Sequence, residues 1–248
     1  MTKVLLYSGG TDSWLINEIE KPDIRLFFDL GTASSDAELN YLKYRKADVI
    51  VDRTLRGLGD LERQDGSFIV PLRNLFFITR AAEYGEHIIL GTNKTDAHND
   101  KTLKFAQLTE DLLNYYYGPS LDGLSEIKDI KVDFSYKQYT KPELLKLYMS
   151  KNGNIEKYIN ESFSCYTPIK TEDGYKECHN CKVCFNKMMS LFLDGYKLPK
   201  GYLASFIPYL ENLYNKINNG TNHRYFQTED IKRALTEAYK DNESSSIS

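Results

Sequence analysis

The chain has 248 residues and a formal net charge of −3. That length buries a substantial core, either as one large domain or as a domain with an appendage, and the acidic balance argues against direct nucleic-acid binding. No apolar run reaches membrane-spanning length and no charged-then-apolar leader opens the chain, so a soluble, cytoplasmic protein without a membrane partner is expected. The first predicted strand is Val4–Tyr7. It feeds Ser8-Gly9-Gly10-Thr11-Asp12-Ser13 and then a helix over Trp14–Glu20. Further apolar runs at Ile24–Leu30, Ala47–Val51, Ile88–Leu90 and Ile130–Phe134 read as buried strands. Asp36–Tyr44, Asn74–Tyr84 and Lys101–Tyr117 read as the helices between them. The alternation predicts an α/β fold, a parallel Rossmann-like sheet with helices on both faces. Asp52–Pro71, with Gly57, Gly59 and Gly66, is long enough to act as a mobile cover. Thr140-Lys141-Pro142-Glu143 combines a hydroxyl cap, an early proline and a glutamate three residues on, and so starts a helix over Glu143–Lys151 that ends near Asn152-Gly153. Tyr202–Ile217 is apolar on one helical face, with Pro208 placed to kink or split it. Thr228–Tyr239 opens on another hydroxyl, and 242–248 has the composition of a disordered tail. A boundary is expected between residues 160 and 161.

Ser8–Ser13 is the most informative stretch. Backbone N–H groups and hydroxyls at a helix N-terminus make a pocket for a pyrophosphate-sized anion. Gly9 and Gly10 let the backbone turn and approach that anion closely. A carboxylate repels phosphate, so the use expected of Asp12 is to hold a Mg²⁺ that bridges to the phosphates. The run lacks the Gly-Lys-Ser/Thr ending of the Walker loop. Ligands of such sheets bind beyond the carboxyl ends of the strands, where the loops 29–36, 52–71 and 91–100 also gather. Arg73 either meets a carboxylate or phosphate bidentately or forms a surface ion pair. Asn74 caps the helix it opens or touches substrate. Asn93, Asp96 and Asp100 follow a strand end, where they either hydrogen-bond a purine-like ring or, for the two aspartates, cap the next helix. His98 is an acid–base candidate or a solvated loop residue. Asp29 binds a ribose or forms a turn.

The four cysteines follow C-x12-C-x2-C-x2-C: Cys165, Cys178, Cys181 and Cys184. Clustered thiolates at this spacing point to a metal rather than to disulfides. Zn²⁺ and an iron–sulfur cluster both suit four cysteines. Cys184 is expected to open a helix whose positive end favours thiolate. His179 reads as a loop residue. Four ligands leave no open position, so the site reads as structural, shaping a pocket wall.

The opening loop looks like the SGGxDS loop of the N-type ATP pyrophosphatases, the PP-loop superfamily. Taken with three later motifs, the chain resembles the 7-cyano-7-deazaguanine synthase family of queuosine precursor biosynthesis. The motifs stand in the family's order: Ser8–Ser13, Pro71-Leu72-Arg73-Asn74, Gly91-Thr92-Asn93, and Ser164-Cys165 with Cys178-His179-Asn180-Cys181-Lys182-Val183-Cys184. The resemblance spans about Lys3 to Met188. It implies an adenine nucleotide α-hydrolase-like domain over 1–160 and a zinc-binding helical region over 161–248. It implies ATP, Mg²⁺ and Zn²⁺ as cofactors, and a ligase that converts 7-carboxy-7-deazaguanine and ammonia, through an adenylate and an amide, to the nitrile. Tyr7, Ser8, Gly9, Gly10, Thr11, Asp12 and Ser13 would then bind ATP, with Ser8, Asp12, Ser13 and Arg73 in catalysis. Arg73, Asn74, Gly91, Thr92, Asn93, Asp96 and Asp100 would hold substrate, and the four cysteines the metal. The sequence also departs from the family. The Tyr-Pro-Asp-Cys-Arg run is His98-Asn99-Asp100-Lys101-Thr102 here, and a customary glycine is His179. A variant that stops at the amide, and a tRNA-modifying thiolase or ligase of the same superfamily, are therefore the alternatives. The aromatic-rich helix near Tyr202–Tyr214 packs on the core or on a second copy in a homodimer.

Overall fold

Strand β1 (Lys3–Leu6) takes the middle of a five-stranded parallel sheet, flanked by β2 (Ile24–Phe28) and β4 (His87–Leu90). Beyond these lie β3 (Ile50–Asp52) and β5 (Lys131–Asp133), giving the order β3-β2-β1-β4-β5. The computed structural model describes residues 1–63, 69–94, 96, 98–119, 127–165, 167–172, 174–220 and 228–246. Val4 lies opposite both Ile24 and Ile88, so the most apolar stretches occupy the centre. One face of the sheet carries Val4, Leu6, Leu26, Phe28, Ile88 and Leu90 and packs with Ile78, Ala106 and Leu113 from two helices. Side chains alternate along a strand, so Leu5, Phe27 and Ile89 point the other way, and they are buried too. A parallel sheet covered on both faces reads as continuous apolar runs, as Val4–Leu6, Leu26–Phe28 and Ile88–Leu90 do, while the edge strands β3 and β5 are short and carry charged residues.

The helices of this first unit are α1 (Thr11–Glu20), α2 (Ala33–Tyr44), α3 (Arg73–Ala81), α4 (Leu103–Tyr116) and α5 (Lys141–Ser150). Two of them, α1 and α2, start about a turn earlier than the sequence predicts. Gly10 takes the cap position of α1 with extended backbone, which places Asp12 and Ser13 in its first turn. Thr32 and Ser35 form a reciprocal capping box for α2, a pairing that serine rather than glutamate makes hard to read. The box at Thr140 and Glu143 forms as expected. Strand β3 is displaced from 47–51 because the Ala47 N–H bonds back to the Leu42 carbonyl and closes α2. Within 52–71 a 3-10 turn runs over Arg56–Leu61; 64–68, with Gly66, lie outside the described residues.

Asp52 ties β3 to α3. Its carboxylate accepts from Thr54 N (2.7 Å) and Thr54 Oγ1 (2.5 Å), and from Arg80 Nε and Tyr84 Oη (both 2.8 Å). Burial pushes this carboxyl up, but the four bonds outweigh it and hold it at about 2, below its ordinary 3.8. A depressed carboxyl stabilises the fold above about pH 4 and loses that contribution as pH falls towards 2. Asp52→Asn is expected to cost about 2 kcal/mol at pH 7. In denaturant titrations the gap between variant and parent should close by pH 2; an equal gap at both pH values would rule this out.

The chain divides into two compact units, Met1–Asn152 and Gly153–Ser248. The second holds α6 (Ile155–Glu161), an antiparallel hairpin of β6 (Ile169–Thr171) and β7 (Gly174–Lys176), α7 (Lys182–Leu193), α8 (Ile207–Asn218) and α9 (Thr228–Ser246). Pro208 does split the helix predicted over 202–217: a 3-10 turn at Ala204–Phe206 precedes α8, with the proline in its first turn. Residues 242–246, expected to be disordered, continue α9 instead. Buried Ile231, Ala234 and Ala238 hold that helix, and Asp241 accepts from Gly201 N (2.9 Å) and Ala204 N (3.1 Å). Residues 247–248 lie outside the described residues. Among the described residues no helix is long and apolar enough to cross a membrane.

Candidate functional site

The strand order reverses direction between β1 and β4, and a crevice opens at such a switch point beyond the carboxyl ends. The β1 loop enters it from one side. Tyr7 N donates to Leu26 O (2.8 Å), continuing the sheet, and the Tyr7 ring is buried. Gly9 has φ +75°, a backbone conformation that strains any residue with a Cβ, and a Cβ there would meet Leu42 Cδ2 at 2.9 Å and displace that side chain. Gly10 N donates to Ser8 Oγ (3.2 Å), Ser13 Oγ donates to Gly10 O (3.1 Å), and the two serine hydroxyls lie 3.3 Å apart. The turn is thus braced by its own hydroxyls at the start of α1, where the helix dipole favours an anion.

The β4 loop enters from the other side. Asn93 Nδ2 donates to Asp12 Oδ2 (2.9 Å), which bridges the two loops across the switch point. Lys141 Nζ, at the start of α5, lies 3.2 Å from the same carboxylate and 3.4 Å from Thr11 Oγ1. Lys137 Nζ donates to the carbonyls of Asn93 (3.0 Å) and Asp96. Asp12 Oδ1 is buried with no partner among the described residues, as is Thr92 Oγ1. A buried oxygen of this kind costs on the order of 1–3 kcal/mol unless a donor or cation reaches it. The Asp12 carboxylate therefore fits a divalent cation, with Oδ1 the available ligand.

The remaining predicted residues divide. Gly91 brings the end of β4 beside the first turn of α1, where an added Cβ would lie an ordinary 3.5 Å from Ser13 N. Asn74 is not a cap. The cap position of α3 is Leu72, at φ +58°, and buried Asn74 instead donates to Asp100 Oδ2 (2.9 Å). Asp96 and Asp100 do not cap α4 either, because Thr102 does. Asp96 accepts from Asn93 N (3.0 Å) and pairs with Lys101 (3.1 Å). These three polar residues brace the β4 loop. Arg73 opens α3 with its guanidinium 6.0 Å from the Phe77 ring, and among the described residues no carboxylate bonds it directly. His98 is exposed. Asp29 makes the turn contact: it accepts from Gly31 N (3.0 Å) and pairs with Arg53 (3.2 Å).

Sequence reasoning missed Lys137, Lys141 and Glu38. Lys141 was legible as part of a helix start, but the signal that mattered was its place at the carboxyl end of the sheet. Glu38 lies one turn before Leu42, the residue against Gly9, and so on the same side of α2. Burial pushes its carboxyl up to about 7 against the opposing pull of Arg73.

In the second unit the four cysteine sulfurs lie within 4.8 Å of one another. Cys181 caps α7 and Cys184 falls in its first turn, so Cys184 does not open the helix as predicted. Cys178 N donates to Cys165 Sγ (3.2 Å), and Thr167 Oγ1 and Asn180 N each approach Cys178 Sγ at 3.3 Å. A hydrogen bond from the Cys184 thiol holds Cys165 down at about 5, while Cys184 and Cys178 are pushed up. Sulfurs this crowded cannot all ionise without a cation among them. Zn–S bonds of about 2.3 Å place tetrahedral sulfurs about 3.8 Å apart, so the cluster could hold a metal such as zinc. His179 sits at φ +52°, a backbone region that suits glycine. Its ring stacks 4.5 Å from Phe206 and its Nδ1 lies 2.7 Å from Ser205 Oγ, so it is a loop anchor rather than a fifth ligand.

A family model described as Queuosine biosynthesis protein QueC matches residues 45–192, more than half the chain. The match begins just after α2 and takes in α3, the β4 loop, both lysines and all four cysteines; the Ser8–Ser13 loop precedes it. No curated protein and no solved structure matches the chain.

Proposed function

The chain belongs to the QueC family of queuosine biosynthesis proteins, and on that premise we propose that it makes 7-cyano-7-deazaguanine from 7-carboxy-7-deazaguanine, ammonia and ATP. The observation that carries this reading is the bridge at the switch point, where Asp12, Asn93 and Lys141 meet beside the braced Ser8–Ser13 turn.

A carboxylate is a poor electrophile towards ammonia, and transfer of AMP to it creates a leaving group. The carboxylate oxygen attacks the α-phosphorus, the bond to the β-phosphate oxygen breaks, and pyrophosphate departs. Ammonia then displaces AMP to give the amide. A second ATP activates the amide oxygen, and loss of AMP with two protons leaves the nitrile. Charge and position do most of this work, with little covalent help from the protein. The Ser8, Thr11 and Ser13 hydroxyls and the α1 N-terminus receive the pyrophosphate. Lys141 and Lys137 offset its charge, and Arg73 orients the substrate carboxylate. Asp12 would hold Mg²⁺, which supplies charge neutralisation on the phosphates. The four cysteines would hold Zn²⁺ in a structural role; sulfurs within 4.8 Å suit one ion better than a larger iron–sulfur cluster.

Mass spectrometry of products from the acid, ATP and an ammonium salt tests the proposal. The nitrile is expected, with AMP and pyrophosphate. Accumulation of the amide alone would identify a variant that stops halfway. Failure to turn over this acid, with intact fold and metal, would overturn the reading in favour of another ligase or thiolase of the superfamily.

A further inference from the structure

We propose that the buried Lys187–Glu177 ion pair is the positioning device of the four-cysteine site, setting Cys165, Cys178 and Cys184 in place before a metal ion arrives. Lys187 lies on α7 with 1% of its side chain exposed, and Glu177 with 9%. The ammonium donates to both Glu177 oxygens (3.1 and 3.2 Å), to Ile159 O (3.1 Å) and to Ser162 O (2.8 Å). Those two carbonyls belong to the end of α6, where the helix dipole favours a cation. Glu177 in turn accepts from Ser164 N (2.8 Å).

Each bonded group is tied to a cysteine by the chain itself. Ser164 precedes Cys165, and Glu177 precedes Cys178. Lys187 follows Cys184 by three residues, which puts the two on one side of α7. Cys184 also approaches Ser164 O and Cys181 Sγ, each at 3.5 Å. One ammonium and one carboxylate therefore connect α6, the segment before the hairpin, the segment after it and α7. Apart from the sulfurs themselves, this pair joins the same segments that supply the ligands. Stability alone explains it poorly, since a buried ion pair is often matched or exceeded by apolar residues of similar volume. Holding ligands in register is a function that an apolar pair cannot copy, and partners behind a ligand set commonly tune metal affinity.

The inference rests on the four cysteines being a metal site, and not on which reaction the enzyme performs. Its test uses the full-length protein and Zn²⁺ in competition with a chromophoric chelator, together with the Co²⁺ charge-transfer spectrum. The variant K187M/E177M replaces the pair with apolar side chains of similar length. The expected result is a zinc affinity about 10- to 100-fold weaker and a broadened Co²⁺ spectrum, with far-UV circular dichroism and the melting of the metal-free protein unchanged. K187M alone should be worse than the double variant, because it leaves a buried carboxylate uncompensated. Parental affinity in a folded double variant would overturn the proposal. Should the double variant fail to fold, E177Q decides instead: it keeps the shape and the acceptor for Ser164 N. A several-fold loss of affinity at unchanged melting of the metal-free protein supports the positioning role, and no loss refutes it. A parent protein that binds no Zn²⁺ or Co²⁺ would remove the metal reading itself, and the reaction assay is independent of both.

Discussion

Asp12→Asn is expected to lower kcat/KM for ATP-dependent turnover by on the order of 10³-fold, about 4 kcal/mol of transition-state stabilisation. The asparagine keeps the size of the side chain and an oxygen to accept from Asn93 Nδ2, now 2.9 Å from Oδ2. It loses the charge that pairs with Lys141 and the anionic character of the buried, unpartnered Oδ1. Magnesium should therefore be bound more weakly, and the variant should need a higher Mg²⁺ concentration to reach its own reduced maximum. The fold should change little, because Asp12 sits in the first turn of α1 and the sheet beneath it is held by Val4, Leu5 and Leu6. Initial rates of pyrophosphate release across a Mg²⁺ titration make the measurement. Turnover within a factor of a few of the parent, at the same Mg²⁺ demand, would show that this carboxylate holds no catalytic cation.

Removing the metal is expected to lower the melting temperature by about 10 °C, which at 2–4 °C per kcal/mol corresponds to roughly 3–5 kcal/mol. The hairpin β6–β7 is short and sits between the cysteines, and Ile169 and Lys170 along it are exposed. Little apolar burial holds that hairpin, so the sulfur cluster carries the local structure. Cys184 is fully buried and the four sulfurs crowd within 4.8 Å of one another, so without an ion nothing ties the four together. Calorimetry after exhaustive chelation should show the loss, and one equivalent of Zn²⁺ should restore it. Cys184→Ser should reproduce it without restoration. A melting curve indifferent to chelation, with no metal found by elemental analysis, would contradict the structural-metal reading.

Much of the architecture was legible because burial on two faces writes itself as unbroken apolar runs. Val4-Leu5-Leu6 and Ile88-Ile89-Leu90 need no tertiary knowledge to be read as central strands. The glycine-hydroxyl turn was legible for the same local reason: what it does depends on backbone and on residues five apart. The cysteine cluster declared itself by spacing. What could not be read were contacts made across the chain. Asn74 looks like a cap because it stands at a helix start, yet the helix begins one residue earlier and the amide goes to Asp100, 26 residues on. Lys141 looks like a surface lysine beside a capping box until the sheet brings it to Asp12, well over a hundred residues away. The Lys187–Glu177 pair likewise lies in a stretch whose sequence is dominated by the cysteines. Helix ends were misread where an unusual partner made the cap, as Ser35 does for Thr32.

The claim on which the account turns is that the crevice at the β1–β4 switch point transfers AMP to an oxygen of the substrate. 7-Carboxy-7-deazaguanine labelled with ¹⁸O in its carboxylate tests this directly, by mass spectrometry of the nucleotide product. Each AMP formed should carry one ¹⁸O, one from the acid step and one from the amide step, and pyrophosphate should carry none. Unlabelled AMP, or label recovered in inorganic phosphate beside ADP, would contradict the account.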